Sequence, residues 1–192
     1  MQKSSAVLGF MLIGQVLIAQ SIDLEVEPNH STVGFSLSIA EGFTRVTGKF
    51  TDYNIDLTYV DQDILKSSFR ASIKVGSIQT GIADRDAHLK SADFFDAEQF
   101  SEITFESRSV EQRGEDYIAS GPFTMHGITK IIEIPFQVTK IDGNTIGFSS
   151  ETKVNRMDFE VGKEFEHTAI KNFLPDKVDV HIYFWTRKRK SK

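Results

Sequence analysis

The chain of 192 residues contains no cysteine, only four prolines and a single tryptophan. The absence of cysteine excludes disulfides, thiolate zinc sites, iron–sulfur clusters and cysteine nucleophiles. Long hydrophobic runs are also scarce, because the only one lies at the start of the chain. With 40% hydrophobic and 26% charged residues, the composition is typical of one soluble globular domain.

The net charge of −5 is unevenly distributed along the chain. Residues 187–192 (RKRKSK) carry five positive charges and Lys3 carries another, so that residues 21–186 alone have a net charge of −11. Such an acidic domain argues against nucleic-acid binding, because recognition of phosphates needs clustered lysine and arginine. The basic tail is predicted to be solvated, and the alternative is that it contacts anionic lipid head groups.

The first twenty residues have the pattern of a secretory signal peptide. An apolar run over residues 6–19 follows the single cation Lys3, and this run is shorter than the about 20 apolar residues that a membrane span needs. We therefore predict a signal peptide over residues 1–20, with cleavage near Ala19 or Gln20 and a periplasmic or secreted location. The alternatives are a buried N-terminal helix and a retained anchor.

From residue 32 onward the hydrophobic period is two, which is typical of β-strands with one buried face. Turn sequences such as those at residues 41–42 and 142–144 separate the alternating segments. The pattern predicts one domain over residues 21–186, with eight or nine antiparallel strands that form a two-sheet sandwich or a closed barrel. Pro135 lies inside one predicted strand, which indicates an edge or a bulge there.

Two segments interrupt the alternation. Residues 82–99 are predicted to contain a short helix capped by Asp84, followed by Phe94 and Phe95, which we expect to close one mouth of the domain. Residues 157–175 are predicted to form a long loop or a short helix over one end of the sheet.

Sixteen phenylalanines are an unusual number for this length, and many of them lie on the inward phase of a strand. Such rings either line an apolar cavity or fill a solid core, and an eight-stranded barrel has room for one ligand. The alternation alone does not distinguish a cavity from a solid core. The candidate ligand-contacting residues are Phe35, Leu37, Phe50, Phe69, Ile73, Phe94, Phe95, Phe105, Phe136, Phe148 and Phe184.

Eight segments, which follow one another in order between residues 22 and 185, resemble the YceI-like family of periplasmic polyisoprenoid-binding proteins. The matching segments are 27–35 (EPNHSTVGF), 46–50 (VTGKF), 77–80 (SIQT), 85–96 (RDAHLKSADFFD), 103–107 (ITFES), 123–130 (FTMHGITK), 155–159 (NRMDF) and 173–178 (FLPDKV). The chain departs from the family pattern at Ile22, where an aromatic residue is common, and at Glu160, where a glycine is usual.

The resemblance implies an all-β fold, namely an antiparallel eight-stranded lipocalin-like barrel with a short helical insertion and an apolar central cavity. It also implies a carrier that sequesters or transports a long polyisoprenoid, a quinone or a similar amphiphile, with no catalytic role and no cofactor. Members of the family can pair as homodimers. A solid-core interaction module and an enzyme for a small hydrophobic substrate are the alternative functions.

Arg85, Asp86 and His88 are the most reactive-looking cluster in the sequence. They are candidates for contacts with a polar head group, and in the enzyme alternative they lie near the active site. The alternative interpretation is that Arg85 and Asp86 pair with each other and hold the helix in place, with His88 exposed to solvent.

The five histidines lack the HxH and HExxH spacings, so no metal site is predicted. His126 and Gly127 are predicted to form a tight turn in which Gly127 has a conformation that other residues resist.

Overall fold

The computed structural model describes residues 19–189, and it is mostly β with one short α-helix. The strands are β1 (Ser21–Val26), β2 (Thr32–Ile39), β3 (Thr44–Phe50), β4 (Tyr53–Val60), β5 (Asp63–Lys74), β6 (Ile78–Gln79), β7 (Glu102–Glu106), β8 (Ser109–Arg113), β9 (Asp116–Met125), β10 (Ile128–Asp142), β11 (Thr145–Asn155) and β12 (Lys177–Lys188). The helix α1 is Ala83–Lys90. Residues 1–18 of the predicted signal peptide lie outside the described residues.

These segments form an eight-stranded antiparallel barrel, because several consecutive segments are parts of one long strand. β1 and β2 both pair with β12, on either side of a 3-10 turn at Pro28–His30. β3 and β4 pair with β2 and β1, and β6 and β5 pair with β3 and β4. β7 and β8 both pair with β9, and the pairing of β12 with β1 closes the ring. The predicted barrel is confirmed, and closure excludes the two-sheet sandwich.

One half of the barrel is filled by packed side chains. Phe69 lies with its ring centroid 5.1 Å from that of Phe136 and 5.4 Å from that of Phe148. Phe148 in turn stacks on Phe184 at 4.8 Å. Leu24, Leu57 and Ile146 complete this core and are at most 1% exposed. Edge-to-face and offset rings at these distances are favourable contacts beyond their burial, so this half is a solid core.

The barrel wall is split in its other half, between β10 and β11. The ladder that joins these strands covers residues 137–142 of β10 and residues 145–149 of β11. The first half of β10 pairs only with β9, and the second half of β11 pairs only with β12. Pro135 lies next to the point where the ladder ends, so the predicted strand edge at this proline is confirmed, and a bulge follows between Val138 and Lys140.

α1 and the segment after it cover the end of the barrel next to the split. The helix begins at Ala83 after Ile82, which provides no side-chain cap, and Asp84 lies in its first turn. The prediction that Asp84 caps the helix is therefore wrong. Backbone hydrogen bonds from Phe95 to Leu89 and from Ala97 to Lys90 then fold residues 91–97 back onto the helix.

The segment between β11 and β12 covers the same end of the barrel and is tied together by Arg156. The Arg156 guanidinium donates hydrogen bonds to the carbonyl oxygens of Pro175 (2.9 Å), Val161 (2.9 Å) and Gly162 (2.8 Å). Burial of this guanidinium lowers the pKa of Arg156. Glu160, where the resemblance predicts a glycine, has φ 58° and ψ 21°, a left-handed backbone conformation that favours glycine.

β12 continues to Lys188, so the first two residues of the predicted basic tail over residues 187–192 belong to the last strand, and residues 190–192 lie outside the described residues. Arg187 pairs with Glu25 at 3.2 Å and with Glu27 at 2.7 Å, and Arg189 pairs with Asp56. These arginines hold β12 against the barrel instead of extending into solvent as a tail. Among residues 19–189, no helix has the length and hydrophobicity needed to cross a membrane.

Candidate functional site: an apolar cavity

The split half of the barrel encloses a cavity of about 780 Å³. The walls are mostly aliphatic and aromatic, and they include Val33, Val46, Ile78, Ile103, Phe123, Met125, Val154, Val180 and Ile182. This volume is within the range of about 300–1,000 Å³ that is typical of small-molecule sites. A cavity of this size excludes the solid-core alternative, which allows room for only a few water molecules.

The structure divides the predicted ligand-contacting residues into two groups. Six of them border the cavity, namely Phe35, Leu37, Phe50, Ile73, Phe94 and Phe95. The other five do not border it and belong to the filled half or adjoin it, namely Phe69, Phe105, Phe136, Phe148 and Phe184. The prediction that these five rings line a cavity is wrong, because alternation specifies which face points inward and not which half of the barrel is hollow.

Several residues that line the cavity are not among those predicted from the sequence. Phe123, Val180 and Ile182 lie on the inward phase of recognised strands, so their alternation was sufficient to find them. Phe165 and Phe173 lie in the aperiodic segment between β11 and β12, where no periodic signal exists. Their positions follow from the path of that segment over the barrel end.

Aromatic side chains from both covering segments pack together over the covered end of the cavity. The ring centroid of His88 lies 4.9 Å from that of Phe94 and 5.8 Å from that of Phe165. Phe94 and Phe165 are 5.2 Å apart, and Phe165 contacts Phe173 at 6.4 Å. His88 Nε2 lies 3.1 Å from Asp93 Oδ2. This group of four rings, the aromatic cap, joins α1 to the segment between β11 and β12.

Arg85 and Asp86 are fastened to Thr80, at the end of β6, and not to each other. Arg85 Nε donates to Thr80 Oγ1 at 2.7 Å, and Arg85 Nη2 donates to the Thr80 carbonyl oxygen at 2.8 Å. Asp86 accepts hydrogen bonds from the hydroxyl and the backbone N–H of Thr80, which lower the pKa of the Asp86 carboxyl. Of the three predicted head-group contacts, Arg85 and His88 border the cavity and Asp86 does not.

The remaining polar groups of the lining lie mainly along the split. Lys130 of β10 pairs with Asp158 at 3.1 Å, and Lys153 of β11 pairs with Asp179. Glu133 pairs with Arg113, whose hydrogen bonds lower the pKa of the Glu133 carboxyl. Among residues 19–189, no group of three His, Asp or Glu side chains could hold a metal ion. The site is therefore an apolar chamber with a charged border.

His126 and Gly127 form the turn between β9 and β10, with φ of 50° and 73° respectively. This confirms the predicted backbone conformation of Gly127. A Cβ at Gly127 would lie 2.6 Å from the Phe100 ring, which also favours glycine. His126 Nδ1 lies 3.1 Å from the Phe159 carbonyl oxygen, so this histidine connects the turn to the segment that follows β11.

Comparison with known proteins identifies relatives over most of the chain. The YceI-like domain matches residues 24–184. A UPF0312 protein of Photorhabdus laumondii is 28% identical over 147 residues, which are 74% of this chain and 76% of that protein.

Two solved structures share the fold. BcnA of Burkholderia cenocepacia superposes with a TM-score of 0.74 and 21% identity, covering 83% of this chain and 98% of that chain. A polyisoprenoid binding domain from Saccharophagus degradans, implicated in plant cell wall breakdown, has a TM-score of 0.70 and 17% identity, covering 88% of this chain and 99% of that chain. At these identities the likeness shows the fold.

Proposed function

Because the chain belongs to the YceI-like family, we propose that it binds one polyisoprenoid or similar long amphiphile in the barrel cavity and acts as its carrier. The observation that carries this proposal is the apolar chamber of about 780 Å³ inside an otherwise packed barrel. The structural relative that is a polyisoprenoid binding domain supports the choice of ligand class.

The energetics of the chamber favour an oily chain. Each buried methylene contributes roughly 0.8 kcal/mol, so that about 15 buried carbons give on the order of 12 kcal/mol before costs. Ordering a flexible chain and restricting its motion take back a large part of this gain. Because the walls are mostly apolar, the selectivity of the site is expected to come from the length and width of the chain.

We propose binding and not catalysis because the reactive-looking cluster is already engaged. Arg85 and Asp86 use their polar atoms to hold Thr80, and His88 is held by Asp93 and by the aromatic cap. In this proposal the three residues attach α1 over the barrel end. The polar head group of the ligand is expected at the charged border of the cavity, near Lys130 and Lys153.

We further propose that the protein acts in the periplasm or outside the cell, because residues 1–20 have the pattern of a signal peptide. A carrier in an aqueous compartment has a clear physical use, since it shields an oily chain from water between two membranes or proteins. The donor and the acceptor of the lipid are partners of this proposed transfer.

Native mass spectrometry tests the proposal directly. The protein is incubated with a geranylgeranyl-chain probe and, in parallel, with a water-soluble analogue that carries the same head group without the chain. We expect one prenyl probe per barrel and no uptake of the analogue. A protein that keeps its unliganded mass with both compounds would refute the proposed binding function.

A further inference from the structure

The split between β10 and β11 is not an ordinary strand edge, because it opens directly onto the cavity. In a closed barrel wall only alternate residues of a strand reach the interior. Here five consecutive residues of β10, from Lys130 to Ile134, border the cavity, and so do four consecutive residues of β11, from Thr152 to Asn155. Runs of this length on the two facing edges indicate that the interior is open between the two strands.

The apolar surface also continues outward through the split. Ile131 is 63% exposed to solvent and still borders the cavity. An isoleucine in this position offers an oily chain continuous contact from the surface to the chamber. Ile132 and Ile134 follow it along the same edge of β10.

The segments that cover the end of the barrel are, by contrast, held in place by several independent contacts. His88, Phe94 and Phe165 pack together in the aromatic cap. Thr80 is bonded to both Arg85 and Asp86 at the start of α1, and Arg156 donates to three carbonyl oxygens on the other covering segment. Entry through the end needs these contacts to break, whereas entry through the split crosses a gap in the backbone ladder that is bordered by the Ser150–Pro135 hydrogen bond on one side and by the Lys130–Asp158 ion pair on the other.

We propose that the ligand enters and leaves the cavity sideways, through the split between β10 and β11, while the aromatic cap stays closed. This inference rests on the proposed binding function and specifies the route of the ligand. Because a long chain can thread through a slot end first, the route suits a linear amphiphile whose head group remains at the charged border, near Lys130 and Lys153.

The absence of cysteine allows a clean test, because one introduced thiol is the only labelling site. Ile131→Cys places a label at the split, and Phe43→Cys places it at the β2–β3 hairpin, where Phe43 is 92% exposed beside the covered end. Ile141→Cys, at the filled half, is the matched control, since Ile141 is also exposed. Each variant is coupled to the same bulky sulfonated maleimide, and uptake of a fluorescent geranylgeranyl probe is followed by stopped flow.

We expect the label at Ile131→Cys to slow both uptake and release about ten-fold or more relative to the same variant without the label, because an obstruction of the route slows passage in both directions. Labels at Phe43→Cys and Ile141→Cys should leave both rates nearly unchanged. Slowing by the Phe43→Cys label alone would overturn the inference in favour of the barrel end, and equal rates in all three would also overturn it.

A second variant on the opposite edge guards against a local effect at Ile131. Labelled Lys153→Cys, which borders the split from β11, should also slow uptake relative to the same variant without the label, a comparison that removes the effect of losing the lysine itself. Unlabelled protein that takes up no probe would instead refute the proposed binding function, and the inference with it. Uptake by the unlabelled protein together with insensitivity to both split labels would refute the route alone.

Discussion

The hydroxyl of Ser150 donates a hydrogen bond of 2.6 Å to the carbonyl oxygen of Pro135, across the point where the ladder between β10 and β11 ends. Ser150 is buried, with 7% of its surface exposed. Because proline has no backbone N–H, it cannot donate a ladder hydrogen bond at this level. The serine hydroxyl therefore joins the two strands there and marks the boundary between the filled half and the split half of the barrel.

Replacing this hydroxyl tests its contribution to the barrel. Ser150→Ala is expected to lower the free energy of unfolding by about 1–3 kcal/mol, because it leaves the Pro135 carbonyl oxygen without its hydrogen-bond donor. Ser149→Ala, one residue along β11 on the outer face, is the matched control and should change stability little. Urea denaturation measures both, and equal losses in the two variants would contradict this role of Ser150.

Replacement of a valine by tryptophan should have different effects on stability and ligand binding in the two halves of the barrel. Val180→Trp adds volume to the cavity, so it should leave stability nearly unchanged while weakening binding of a prenyl probe about ten-fold or more, equivalent to roughly 1.4 kcal/mol. Val138→Trp adds volume beside the filled core and should destabilise the protein by about 1–3 kcal/mol, with binding retained. Urea denaturation and probe titration measure these effects, and similar results at both positions would show that the halves do not differ in packing.

Glu160 offers a test of backbone strain in the segment after β11. A left-handed conformation costs a non-glycine residue about 1–2 kcal/mol, and replacement by glycine removes this cost. Part of the resulting stabilisation is lost because glycine increases the entropy of the unfolded chain. Glu160→Gly is therefore expected to stabilise the protein by about 0.5–1 kcal/mol in urea denaturation.

Glu160→Ala is the control for this prediction. It keeps the strained φ of 58° and removes the exposed ion pair with Lys163, which contributes little. Alanine should therefore give no stabilisation. If alanine and glycine have the same effect, the backbone conformation is not the cause.

The attachment of α1 is expected to weaken in acid. Hydrogen bonds from Thr80 lower the pKa of Asp86 below its ordinary value of 3.8. A carboxyl with a lowered folded-state pKa contributes stability that is present above the unfolded-state pKa and is lost as the pH falls through the folded-state pKa. The protection of the α1 amides against hydrogen exchange should therefore be constant near neutral pH and fall below about pH 4.

Asp86→Asn removes the titrating group and isolates this effect. Its α1 protection factors should be lower than those of the parent at pH 7 and should show less of the acid-dependent fall. Asp84→Asn, in the same first turn, should keep the parent profile, because Thr80 is bound by Arg85 and Asp86. An unchanged acid profile in Asp86→Asn would assign the pH dependence to other groups.

Much of the architecture was accessible from local patterns. Alternation from residue 32 onward predicted the strands, and Pro135 predicted a strand edge, because these signals depend on the covalent chain itself. The prediction that Asp84 caps the helix is wrong, since a favourable residue type does not determine where a helix starts. Phe148 and Phe35 have the same inward phase, yet only Phe35 borders the cavity.

The sequence by itself determined the class of the fold, the inward face of each strand and the left-handed turn at Gly127, because side-chain period and backbone sterics are local properties. Only the tertiary structure decided which half of the barrel is hollow, where the wall splits, and that Thr80 holds both Arg85 and Asp86. These features depend on which residues meet across the barrel. These contacts are set by strand register and by the volume of facing side chains. Residues far apart in the chain determine both.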